Sequence, residues 1–187
     1  TSSVAAVSIT LLTANLTWSN PAAINYGVSL SDTQLNATAN IPGTLTYDPV
    51  AGTILTGGSH TLDVSFTPQD TSRFATQSLS RPLTVQAVSL TVTAEDAAKL
   101  VGSPNPTLLL SYSGFVTGEN ASNLATAPTV ATVADDNSPL GSYTLTPGGG
   151  VSPNYSFNYV NGTLTVSAVP LSITAQPTNL VVTQAQT

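Results

Sequence analysis

LTVQAVSLTVTA at residues 83–94 returns as LTVSAVPLSITA at 164–175, with eight of twelve positions identical at a displacement of 81 residues. A looser copy, VAAVSITL at 4–11, stands 81 residues before VQAVSLTV at 85–92. A period of this length is too long for the coil of a solenoid and is close to one small β-sandwich. Within the stretch, Val88, Leu90 and Val92 alternate with Ser89, Thr91 and Thr93, the period of a half-buried strand. The segment therefore reads as the last strand of one module, a short joint, and the first strand of the next. The joints, Gln86-Ala87 and Ser167-Ala168, are too short to be flexible tethers. Adjacent modules are expected to stand in a restrained, rod-like relation.

The composition agrees with an all-β chain. Its 187 residues include 30 Thr, 22 Ser, 13 Asn and 18 Val, and β-branched Thr and Val suit a pleated sheet better than a helix. Thirteen Pro and 13 Gly punctuate the chain and leave little room for helices. Nine acidic groups stand against Arg73, Arg81 and Lys99, a net charge of −6 that lacks the cationic footprint of nucleic-acid binding. No apolar run reaches the roughly 18–20 residues of a spanning helix, so no membrane insertion is expected. The absence of cysteine excludes disulfides, zinc-thiolate sites and thiol nucleophiles. So few Lys and Glu residues favour an extracellular or cell-surface location.

Strands and turns follow from local pattern. Leu62, Val64 and Phe66 alternate with Thr61, Asp63 and Ser65 up to Thr67-Pro68. Tyr155, Phe157 and Tyr159 repeat the alternation, and Asn161-Gly162 predicts a two-residue hairpin turn into Leu164 and Val166. Pro42-Gly43 and Asp48-Pro49 mark further turns. Glu95–Leu100 is the one piece compatible with a short helix. The fold expected is a pair of tandem immunoglobulin-like β-sandwiches joined by very short linkers, at 7–87 and 88–168. Residues 1–6 read as the tail of a preceding module or an N-terminal strand, and 169–187 as the opening strand of a further module or a donated strand.

WSNPAAINYG (18–27) and FTPQDTSRF (66–74) resemble bacterial immunoglobulin-like repeats of large surface proteins. VGSPNPTL (101–108), SGFVTGE (113–119) and NYSFNYVNGTLTV (154–166) resemble the related MBG-type repeat. In that repeat an aromatic usually precedes the first glycine, where this chain has Val101. The resemblance covers about residues 15–168 and implies extracellular stalks, adhesins and appendages of prokaryotes. It brings no catalytic residues with it.

Ordering the segment 169–187 requires a surface that receives Leu171, Ile173, Leu180, Val181 and Val182, because each ordered residue costs roughly 1–2 kcal/mol of backbone entropy. These five are the candidate intermolecular contact, by strand addition to another copy or to an adjoining module. Repeated head to tail, such a contact builds an open fibre.

Catalytic constellations are weak. His60 is the only histidine, and Asp63 on the same short strand is its nearest carboxylate in sequence. Glu95, Asp96, Glu119, Asp135 and Asp136 all stand in turn-like contexts, unlike the facing buried acids of glycoside hydrolysis. Asp135-Asp136-Asn137 with Asp96 or Glu119 offers hard oxygens for calcium but lacks a spaced loop motif. Lys99 is the sole lysine, so a Lys–Asn cross-link would have one donor and would need a buried acid beside it. Asn-x-Ser/Thr sequons at Asn15, Asn36, Asn120, Asn154 and Asn161 are candidate glycan-attachment sites, about as many as chance gives. Trp18 and the tyrosines could form a sugar-stacking platform, although Tyr155 and Tyr159 share the apolar face with Phe157. The expected role is structural and non-catalytic, part of a prokaryotic surface stalk or fibre with no cofactor or metal. The alternative is an adhesin or carbohydrate-binding module whose partner is a cell-surface glycan.

Overall fold

The computed structural model of the chain describes residues 10–170. It is essentially all-β. Before Ala87 run β1 (Leu12–Thr13), β2 (Leu16–Thr17), β3 (Ile24–Asn25), β4 (Thr38–Ala39), β5 (Gly43–Asp48), β6 (Gly58–Pro68), β7 (Phe74–Ala75) and β8 (Gln77–Gln86). After it run β9 (Val88–Ala94), β10 (Ala97–Leu100), β11 (Leu110–Ser113), β12 (Thr129–Ala131), β13 (Gly141–Gly148), β14 (Tyr155–Val160) and β15 (Gly162–Ser167). Among the described residues no sheet joins a strand of the first set to one of the second.

Each set builds the same arrangement. The first has a four-stranded sheet in the order β3-β8-β6-β5, the second one in the order β10-β15-β13-β12. In each, the first-named strand is the parallel member and the rest run antiparallel. Opposite it, the second unit has β11-β9-β14, with β11 antiparallel and β14 parallel to β9. The first unit divides that layer into two pieces, β2 antiparallel to β4 and β1 parallel to β7.

Alternation explains the cores. On β6, Leu62, Val64 and Phe66 are buried, and Leu83 and Val85 of β8 meet the first two with Trp18, Leu30, Leu35 and Ala37. In the second unit Leu90, Val92, Leu124 and Tyr155 form one cluster, and Ala94, Ala134, Leu145 and Leu164 another. Burying each such side chain contributes about 1.5–3 kcal/mol.

The structure differs from the sequence expectation at two places. Residues 95–100 form no helix, because Ala97–Leu100 pair in parallel with Leu164–Ser167, and the sheet supplies hydrogen bonds that an isolated turn lacks. The one helical turn described is a 3-10 turn at Ala121–Asn123, capped by the Asn120 side chain. Asn161-Gly162 makes no hairpin: β14 pairs with β9 while β15 pairs with β13 and β10, so the chain crosses here from one layer to the other. Gly162 serves close approach instead, since a Cβ there would stand 2.3 Å from the Ala94 carbonyl oxygen.

Leu12 N–H donates to the Arg73 carbonyl as Val88 N–H donates to that of Asn154, and Ala14, Leu16 and Trp18 turn inward like Leu90, Val92 and Ala94. Pairing thus gives residues 12–17 of the first unit the place that β9 has in the second. Residues 1–6, the start of the expected module at 7, and Leu171, Ile173, Leu180, Val181 and Val182 lie outside the described residues.

Replacing Gly162→Ala is expected to destabilise the second unit by about 1–3 kcal/mol through overpacking against Ala94. A denaturant midpoint unchanged from wild type would contradict this account of the crossing.

Candidate functional site

Between Gln86, the last residue of β8, and Val88, the first of β9, there is only Ala87. So short a link brings the end of the first unit onto the start of the second, and a mixed apolar and polar cluster fills the junction.

Its centre is Tyr26, which follows β3 directly and whose N–H donates to the Gln86 carbonyl at 2.8 Å. Its ring packs against the core clusters of both units and stands edge-on to Tyr155, with centroids 5.6 Å apart. Its hydroxyl donates to Glu119 Oε1 at 2.5 Å, and the Tyr155 hydroxyl donates to Glu119 Oε2. The same Tyr155 oxygen accepts from Val116 N–H at 3.0 Å, fixing the turn that carries Glu119. Phe115 stands edge-on to Tyr155 from the other side.

Two glycines let the units approach closely. Gly27 has a φ of +89°, and a Cβ there would stand 2.9 Å from Val116 Cγ2. At Gly57 a Cβ would stand 1.9 Å from the Pro153 carbonyl oxygen, well inside any tolerable contact. Gly57 N–H also donates to Asn154 Oδ1 at 2.8 Å. The carboxylate raises the affinity of both tyrosines for their protons. Hydrogen bonding to Glu119 first, then burial and the Glu119 charge, push the Tyr26 hydroxyl from 10.0 up to about 12. Burial first and the Glu119 hydrogen bond second push Tyr155 up as well, while the Val116 amide opposes the shift.

The residues singled out in the sequence are scattered. His60 Nε2 bonds to the Thr56 carbonyl at 2.7 Å, and Asp63, three positions along β6 on the opposite face, accepts from Ser80 Oγ. Asp96 Oδ1 accepts from Thr163 N–H at 2.7 Å. Asp135 Oδ1 accepts from Asn137 N–H and Ser138 Oγ in its own turn. With Glu119 held by the tyrosines, the acids weighed for calcium do not converge. Among the described residues no three His, Asp or Glu side chains group as metal ligands.

Lys99 is buried, and its ammonium donates to the carbonyls of Ser103 and Asp135. Its recorded partners are backbone carbonyls, not the acid a cross-link would need. Asn105, whose amide donates to Ala134 O at 2.6 Å, leaves its Oδ1 buried without a partner among the described residues.

Trp18 is buried, donating Nε1–H to Gln34 O at 3.0 Å and lying edge-on to Tyr47, so it offers no stacking surface. Of the tyrosines on β14, Tyr155 is core, whereas Tyr159 is 36% exposed and stacked on Phe157. Among the sequons, Asn15, Asn36, Asn120 and Asn161 are exposed, and Asn154 is half-buried within the junction.

The Tyr26–Glu119–Tyr155 cluster was absent from the sequence reading. Its parts lie 93 and 36 residues apart, in three of the stretches that resemble known repeats, and nothing local says that they meet.

Residues 90–165 match the family model of the MBG domain (YGX type). The match spans the sheets of the second unit nearly end to end, so this unit is similar to that domain. No curated protein matches the chain. The match begins after Tyr26-Gly27, yet that pair occupies in the first unit the structural place of Val101-Gly102 in the second. In each case the residue before the glycine donates its N–H to the last carbonyl of the parallel partner strand.

In a double-mutant cycle, Tyr26→Phe and Glu119→Gln are expected to couple by about 1–2 kcal/mol, the strength of a charged hydrogen bond reduced by partial solvent exposure. Additive effects would show that the bond contributes nothing across the junction. The raised tyrosine also fixes a sign with pH. Its stabilisation is fully present below pH 10.0 and is lost as pH rises through about 12, because the unfolded chain releases this proton first. Thermal unfolding followed across that range, with Tyr26→Phe as comparison, should show a smaller alkaline loss in the variant.

Proposed function

We propose that the chain is a structural, non-catalytic segment of a prokaryotic surface stalk or fibre, working outside the cell as a stiff spacer. The observation that carries this reading is the junction: one linking residue, two glycines at close approach to the other unit, and a carboxylate bonded to a tyrosine from each unit. A connection built for free movement would need length and would leave these groups to water. The MBG-type second unit supports a repeat module, and the immunoglobulin-like kinship of both units belongs to the same reading. A surface rich in Thr, Ser and Asn, with 6% charged residues, suits end-to-end neighbours with little mutual repulsion. Donation of a strand by 169–187 to another copy completes the reading and rests on sequence alone.

Backbone NMR relaxation tests the spacer. One overall tumbling axis common to both units is expected in the wild type, with partial decoupling in a Gly57→Val variant. Independent tumbling of the two units in the wild type would sink the reading.

An adhesin or carbohydrate-binding role is the second reading, favoured by the parallel rings of Phe157 and Tyr159 at the edge strand β14. Titration with oligosaccharides should then quench tyrosine fluorescence, and the effect should vanish in Tyr159→Ala.

A further inference from the structure

The end of the second unit repeats the end of the first, group for group. Gly58 lies opposite Val85 and Gly141 opposite Val166. Asn25 pairs with Gln86 and Leu100 with Ser167. Tyr26 N–H donates to Gln86 O, and Val101 N–H to Ser167 O at 2.9 Å. Gly27 and Gly102 then turn the chain with φ of 89° and 78°. By this correspondence Val101 stands for Tyr26 and Leu140 for Gly57.

In the first unit this face is covered by the second. In the second unit it presents Leu100, Val101, Leu140 and Val169, exposed by 40, 38, 58 and 57%. Lys99 ties the loops behind it through Ser103 O and Asp135 O, so the face is held in shape.

The opposite end of the molecule presents the matching kind of surface. The second unit covers its neighbour with the residues after β11 and those before β14. The corresponding residues of the first unit are Ile41-Pro42 and Gln69–Phe74, which line a shallow hollow of about 260 Å³ beside exposed Leu12. The two ends also agree in what they lack. The internal junction has a tyrosine on one side and a glutamate-bearing turn on the other. The corresponding face of the second unit has Val101 in place of the tyrosine. The first unit passes from β4 to β5 through Asn40, Ile41 and Pro42 alone, without such a turn. Charge fits as well: exposed Arg73 borders the hollow, and exposed Asp136 lies in the turn held by Lys99. The neighbouring Asp70 is already engaged, its Oδ1 accepting from Ser72 and the Arg73 N–H.

We propose that the face formed by Leu100, Val101, Leu140 and Val169 seats the Ile41–Pro42–Phe74 hollow of a second copy of this chain. The contact is apolar, head to tail, and continues the geometry of the internal junction with an apolar centre in place of the acidic one. It rests on the fibre reading above but differs from strand donation, because it uses surfaces already folded.

Sedimentation velocity over a concentration series tests it, on the chain of residues 1–187 and on four variants of it: Leu140→Asp, Ile41→Asp, Asp136→Lys, and Ile173→Pro with Val181→Pro. Concentration-dependent association of the unsubstituted chain is expected. It should weaken at least about tenfold in each aspartate variant, the effect of a lost apolar contact of about 1.4 kcal/mol, and persist in the proline variant. Leu140 is exposed, so its variant should keep the wild-type unfolding midpoint; Asp136→Lys, which leaves the core untouched, should weaken association in the same direction. Association lost only in the proline variant would overturn this face and leave a fibre built by strand donation. A chain monomeric at every concentration would overturn both.

Discussion

With Ala87 as the only residue between two sheets, the chain has no slack at its middle, and much else follows from that constraint. Two folded units this close must either match or clash. The match is made by removing side chains at Gly27 and Gly57 and by placing one ring, that of Tyr26, against both cores. A ring so placed has its hydroxyl at the boundary, where it needs a partner. Glu119 supplies one, and Tyr155 from the second unit occupies the other carboxylate oxygen. A carboxylate accepting two hydroxyl hydrogens is well satisfied, which is why a charge is tolerated at a largely apolar contact.

The interior logic is simpler. Each unit sets a four-stranded sheet against a second layer, and the cores are aliphatic side chains on alternating positions. The division of the second layer of the first unit into short pieces coincides with Trp18, whose bulk fills the place that Ala94 takes in the second unit. Arg81 bonds the Trp18 carbonyl through Nε at 2.6 Å, tying this broken layer to β8.

Much of this fold was legible because its signals are local. The period-2 alternation of Leu62, Val64 and Phe66, and of Leu90 and Val92, identified strands whose buried faces are as expected. The repeated stretch marked where one sheet ends and the next begins. What failed was pairing. Asn161-Gly162 has the composition of a hairpin, but composition does not say which strands lie side by side, and Gly162 answers to the Ala94 backbone instead. Residues 95–100 lean toward helix in isolation and are held extended by β15. The junction cluster was illegible for the same reason: Tyr26, Glu119 and Tyr155 each lie in a stretch that resembles a known repeat, but nothing in those stretches says that the three meet, and only the fold brings them together.

The scarcity of basic residues has a further consequence once each is located. A protease that cuts after lysine or arginine has three candidate bonds along the whole chain. Lys99 is buried within β10, and Arg81 is followed by Pro82 and held in β8 by its bond to Trp18. That leaves Arg73, in the open turn before β7. The scarcity of basic side chains, with the placement of those present, thus removes nearly every point at which trypsin-like digestion could begin, and the exception sits at the outer end of the first unit, away from the junction.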